Sequence, residues 1–158
     1  MSTDDNIFLA AGMPLTEVAG WLSDTLELER VEDSDLKDGV YLLRGPARTV
    51  DGEVYLLVEP NVYGEADPEP DDVSAIDRYP GVVDISCAGK KDEELQQREA
   101  RAVFDELSNR QPDVALVLSH NMSLITAAYL PGTGAHTFPP GTTLDVDDVE
   151  TWRPWVVG

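Results

Sequence analysis

Residues 40–58, VYLLRGPARTVDGEVYLLV, decide how this chain is built. Two β-prone runs, 40–43 (VYLL) and 53–58 (EVYLLV), are rich in branched and aromatic residues and short enough to be strands. Between them, RGPARTVDG carries the pairs Gly45-Pro46 and Asp51-Gly52, which are turn signals. The economical reading is an antiparallel hairpin.

Upstream, Pro14 opens a helical pattern in which Leu15, Val18, Ala19, Leu22 and Leu26 fall on one apolar stripe. Proline suits the first turn, where its missing N–H is not needed. Trp21 lies beside the stripe as an edge anchor of the core. Residues 1–12 read as a loose lead-in with a short apolar anchor at 7–11. Downstream, 82–86 (VVDIS) resumes as a third strand. Residues 92–109 then form a helix, with Asp92 as its cap and Glu93 and Glu94 in a first turn favoured by the helix dipole. Ala100, Val103, Phe104 and Leu107 share its apolar face, and Asn109 and Pro112 stop it. The nearly continuous apolar run 114–119 (VALVLS) reads as a central strand buried on both faces. Residues 123–130 fit either a short helix or another strand. The turn-rich segment 131–158 carries Trp152 and Trp155, which need burial, so it is expected to fold back onto the domain. The expectation is a single α+β domain spanning 1–158. It has a mostly antiparallel sheet of about four to six strands, with two main helices on the opposite side.

At 158 residues, with 42% hydrophobic residues, the chain is long enough to bury one real core. No apolar run approaches the roughly 20 residues of a membrane span. The acidic N-terminus has no positively charged signal region, and a cytoplasmic protein is expected. A single cysteine, Cys87, leaves no internal disulfide and no multi-cysteine zinc site. The dominant global property is charge: 31 acids against 11 bases, a formal net of −20. That balance disfavours nucleic acid and anionic membranes, because phosphate binding needs a basic footprint. It has two competing origins. With only three lysines (Lys37, Lys90 and Lys91), the composition matches a salt-adapted or GC-rich genome, and it equally fits a protein that binds something basic.

Enzyme signatures are sparse. Cys87 and His120, with Asp84, supply the residue types of a nucleophile, base and orienter, and His120 ends a strand where active-site groups often lie. No nucleophile elbow or family-type cysteine motif surrounds Cys87, and a buried cysteine and a satisfied structural histidine are the ordinary reading. Neither His120 nor His136 belongs to an HExxH-like pair. The acidic runs 145–150 (DVDDVE) and 65–72 (EADPEPDD) lack the ligand order of a calcium loop. Residues 87–91 (CAGKK) sit where a phosphate loop would, without its upstream glycine or its Ser/Thr. Lys90 and Lys91 there remain candidates for an anion near a helix start, or a solvated pair. The sequon at Asn121 has no secretory context. No catalytic residue, metal ligand or cofactor is expected.

What remains is the acidity itself, concentrated at 24–38, 59–77 and 145–150. The connection 59–81, EPNVYGEADPEPDDVSAIDRYPG, is stiffened by Pro60, Pro68, Pro70 and Pro80 and bracketed by Tyr63 and Tyr79. Prolines reduce the entropy lost on ordering, and tyrosines favour interfaces, so this stretch can present carboxylates semi-rigidly. Its plain alternative is a solvated loop. In size, acidity, single-domain organisation and lack of an evident active site, the chain resembles the small acidic immunity proteins of bacterial toxin systems. The resemblance implies a non-enzymatic inhibitor that plugs the basic site of a cognate toxin, often a nuclease, its carboxylates taking the place of phosphates. Asp33, Asp35, Asp67, Glu69, Asp71 and Asp72 are the expected contacts, chosen for local charge density, with Tyr63 and Tyr79 beside them. Two other readings stay open: a small acidic chaperone for a secreted protein, expected to dimerise, and a small enzyme using Cys87 and His120.

Overall fold

The computed structural model describes residues 4–88 and 92–158. Strands β1 (Asp5–Ala10), β2 (Glu29–Val31), β3 (Tyr41–Pro46), β4 (Glu53–Pro60), β5 (Gly81–Cys87), β6 (Ala115–His120), β7 (Leu124–Leu130) and β8 (Gly134–Thr137) form one sheet in the order β2-β3-β4-β5-β1-β6-β7-β8. Every neighbouring pair is antiparallel. Helix α1 (Leu15–Leu26) follows β1, α2 (Glu93–Ser108) joins β5 to β6, and the short α3 (Val149–Trp152) lies near the C-terminus. The chain is α+β, but the sheet of about four to six strands is corrected to eight.

The hairpin forms as β3–β4, with Tyr41 opposite Val58 and Leu43 opposite Leu56. A buried carboxylate organises its turn: Glu99 of α2 accepts from the backbone N–H groups of Arg48 and Thr49 and from the Thr49 hydroxyl. Arg48 in turn reaches the Leu26 carbonyl at the end of α1 and pairs with Glu106 of α2 at 2.9 Å. One arginine and two glutamates therefore lock both helices to the hairpin. Asp92 caps α2 as expected, accepting from the N–H groups of Glu94 and Leu95 at 3.0 and 3.2 Å. Val18, Leu22 and Leu26 of α1 and Val103, Phe104 and Leu107 of α2 pack against Ile7, Leu56, Val83 and Leu116 on one face of the sheet. Gly45 lets β3 pass close to the residues after α1: a Cβ there would meet the Leu28 side chain, which would have to shift.

Two further expectations are corrected. Residues 5–10 belong to no loose lead-in: they form β1, a central strand between β5 and β6. β5 and β6, both antiparallel to β1, are therefore parallel to each other across it. Nor is the sheet covered by helices alone with its other face left open. Phe8, Val82, Val117 and Ala128 point to the second face, where Ala75, Ile76 and Tyr79 of the 61–80 segment and Phe138, Leu144, Trp152 and Val156 of the tail cover them. Strand alternation explains why: a strand such as β6, buried at every position, needs a layer on each side. The fold-back of the tail is observed, with Trp152 only 2% exposed and its indole N–H donating to the Asp145 carbonyl.

Candidate functional site

Two regions carry the side chains singled out above. The first is the acidic cover. Because Tyr41 pairs with Val58 and Pro60 with Gly81, loop 32–40 and segment 61–80 leave the same end of the sheet. The segment is tied at its base. Asn61 donates its backbone N–H to the Pro80 carbonyl and its side-chain amide to the carbonyls of Ile76 and Tyr79, at 3.1 and 2.7 Å. Its own amide oxygen accepts from Tyr63 N–H. Asp77 braces the middle, accepting from the N–H groups of Glu65 and Ser74, and Ala75 N–H reaches the Leu144 carbonyl of the tail. A segment whose ends meet and whose Ala75, Ile76 and Tyr79 pack onto the sheet is an ordered strap and not a solvated tether.

On this frame Asp67, Glu69, Asp71 and Asp72 are exposed, as are Asp33 and Asp35 on loop 32–40. Among the described residues none of these six enters an ion pair. Asp33 spends one oxygen on Asp35 N–H at 2.9 Å. The two tyrosines part company. Tyr63 is 51% exposed beside Val62 at 78%, and these are the exposed large hydrophobic residues among those described. Tyr79 is 1% exposed, its hydroxyl accepts from Val157 N–H, and burial pushes its phenol up to about 12. It is a core residue and drops out of the surface set. Nothing in the sequence marked Val62, because an isolated valine between Asn61 and Tyr63 has no readable periodicity.

The second region lies at the opposite end of the sheet. His120, at the end of β6, is buried between Asp5 of β1 and Glu93 of α2: Nδ1 lies 2.8 Å from Asp5 Oδ1 and Nε2 lies 3.0 Å from Glu93 Oε1. Gln96 donates to the other Asp5 oxygen at 3.1 Å. Burial pulls the imidazole toward neutrality, yet the hydrogen bonds and charges of Asp5 and Glu93 outweigh it and raise its pKa overall. The adjoining turn is unusual, since Asn121 and Met122 both have positive φ, at 53° and 56°.

The Cys87/His120/Asp84 constellation is not brought together. Both His120 nitrogens face carboxylates, and no hydrogen bond among the described residues links the ring to Cys87. The Cys87 thiol is pushed up by burial and then by the charges of Glu99 and Asp5, away from the reactive thiolate. Asp84 points to the opposite face, since Val83 and Ile85 flank it on the helix side. There, burial and then a hydrogen bond in which protonated Asp84 donates to the Glu59 carboxylate raise Asp84 to about 7. His136 stacks on Trp155 at 4.3 Å and serves packing. Among the described residues no group of three or more His, Cys, Asp or Glu side chains is arranged to hold a metal. Lys90 and Lys91 lie outside the described residues.

No helix among the described residues is long and apolar enough to cross a membrane. No family model, curated protein or solved structure matches the chain.

Proposed function

We propose that this protein binds a basic protein partner in the cytoplasm and inhibits it, in the manner of an immunity protein neutralising a cationic toxin such as a nuclease. One observation carries the reading: Val62 and Tyr63, exposed and apolar, sit on a segment pinned by Asn61 and Asp77 that also bears four exposed carboxylates, Asp67, Glu69, Asp71 and Asp72. Carboxylates without internal partners attract a basic surface over distance, and an apolar pair on an ordered loop supplies short-range contact at little entropic cost. Asp33 and Asp35 extend the field from the same end of the sheet.

The reading predicts a neighbouring gene for a larger toxin with a basic C-terminal domain, and the test is complex formation with that product. A 1:1 complex whose association slows with added salt supports the reading. Simultaneous replacement of Asp67, Glu69, Asp71 and Asp72 by lysine should abolish neutralisation while leaving the circular dichroism spectrum unchanged. Full protection by that variant sinks it. A stable dimer without partner points instead to the chaperone reading. The reading that uses Cys87 and His120 in an enzyme has no geometric support in the pairs described above.

A further inference from the structure

The 61–80 segment and the tail do more than cover the sheet; a shallow, open groove lies between them. A cavity of about 350 Å³ is lined by Pro70 and Val73 on one wall and by Val146, Val149, Glu150 and Arg153 on the other. Both walls are fixed before any ligand arrives, by Ala75 N–H to the Leu144 carbonyl and by the Trp152 indole N–H to the Asp145 carbonyl. Four of the lining residues are apolar and the borders are not. Asp71 and Asp72 lie between the lining residues Pro70 and Val73, and Asp147 lies between Val146 and Val149. These three carboxylates and Glu150 are exposed. Asp148 is already engaged, accepting from the N–H and hydroxyl of Thr143. Among the described residues, Arg153, which lies over the Trp152 ring, is the one cation lining the groove.

An apolar slot with acidic borders selects by both properties at once. A second copy of this chain would bring carboxylates against carboxylates, at a net charge of −20 on each molecule. A basic segment with a central apolar residue satisfies both walls and borders. We infer that this groove docks such a segment of the partner protein, seating one aliphatic or aromatic side chain on Val73, Val146 and Val149 while flanking lysines or arginines meet Asp71, Asp72, Asp147 and Glu150. The inference rests on the reading of the partner as a basic protein and adds where its anchor goes.

Two short fluorescent peptides of equal positive charge provide the probe, one with a central Leu-Trp pair and the other with Gly-Ser there. With the full-length protein, anisotropy titration at low salt should show the anchored peptide binding about tenfold more tightly, the effect of burying one large side chain. The nearly isosteric double variant Val73→Thr, Val146→Thr should erase that advantage and leave the weaker, salt-sensitive binding, with an unchanged circular dichroism spectrum. Equal affinity of the two peptides, or an advantage that survives in the double variant, overturns the groove. If the anchor has no effect but the lysine replacements at Asp67, Glu69, Asp71 and Asp72 abolish binding, the acidic-surface reading stands and the groove falls alone. If neither peptide binds at low salt, both fall.

Discussion

His120 illustrates how little of a residue's role its sequence neighbours reveal. Its partners, Asp5 and Glu93, lie 115 and 27 positions away and meet it only because β1 is inserted beside β6. Its raised pKa makes the pair stabilising where the imidazole is charged. That contribution is complete below the free-histidine value near 6.5 and is lost as pH rises through the higher folded value. An NMR titration should therefore place His120 above the ordinary histidine range. Asp5→Asn should lower it and cost about 2 kcal/mol at slightly acid pH. Asp84 follows the same sign for a different reason. Its folded pKa of about 7 lies above the ordinary 3.8, so stability falls as pH climbs between those values. Asp84→Asn should flatten that slope and, after solvent screening, raise stability above neutral pH by about 1 kcal/mol in thermal unfolding. Neither carboxylate could be assigned from the sequence: Asp84 sits in an ordinary strand, and Asp5 sits in a stretch that reads as lead-in.

At the scale of elements, legibility tracked how local the determinants are. The stripe Val18-Ala19-Leu22-Leu26, the Asp92 cap and the paired runs of β3 and β4 are read within a few residues, and each forms as expected. β1 is different: DNIFLA is short, has no alternation, and draws its strand identity from Val83 and Leu118, more than seventy positions away. β2 is three residues long and has no apolar pattern at all. The sequence of 59–81 reads either as a solvated connection or as a presented acidic face; in the fold, Asn61 ties the ends of the segment together. Asn61→Ala removes donors to two carbonyls and the acceptor for Tyr63 N–H. It should cost about 1–2 kcal/mol and speed amide hydrogen exchange at Tyr63 selectively. Trp152→Ala, which empties the second layer, should cost about 3–5 kcal/mol in denaturant unfolding.

The whole molecule is a twice-covered sheet: α1 and α2 guard one face, and the 61–80 segment with the tail, including the short α3, guards the other. This second cover carries two of the acidic runs outward. Asp67, Glu69, Asp71 and Asp72 come from its first strap, and Asp145, Asp147 and Glu150 from its second, so two acidic runs far apart in sequence share one layer. That union was invisible in the sequence because it depends on Ala75, Ile76 and Trp152 packing on the same strands. Self-repulsion at −20 works against folding, and the ordered straps hold the carboxylates in place against it. We propose that this layer captures a basic protein. The most direct test is the association rate constant for the basic partner, measured against ionic strength for the wild type and for the variant with lysine at positions 67, 69, 71 and 72. The wild-type rate should fall steeply with salt, and at low salt the variant should associate about a hundredfold more slowly. Equal rates for the two proteins, or a wild-type rate indifferent to salt, would contradict it.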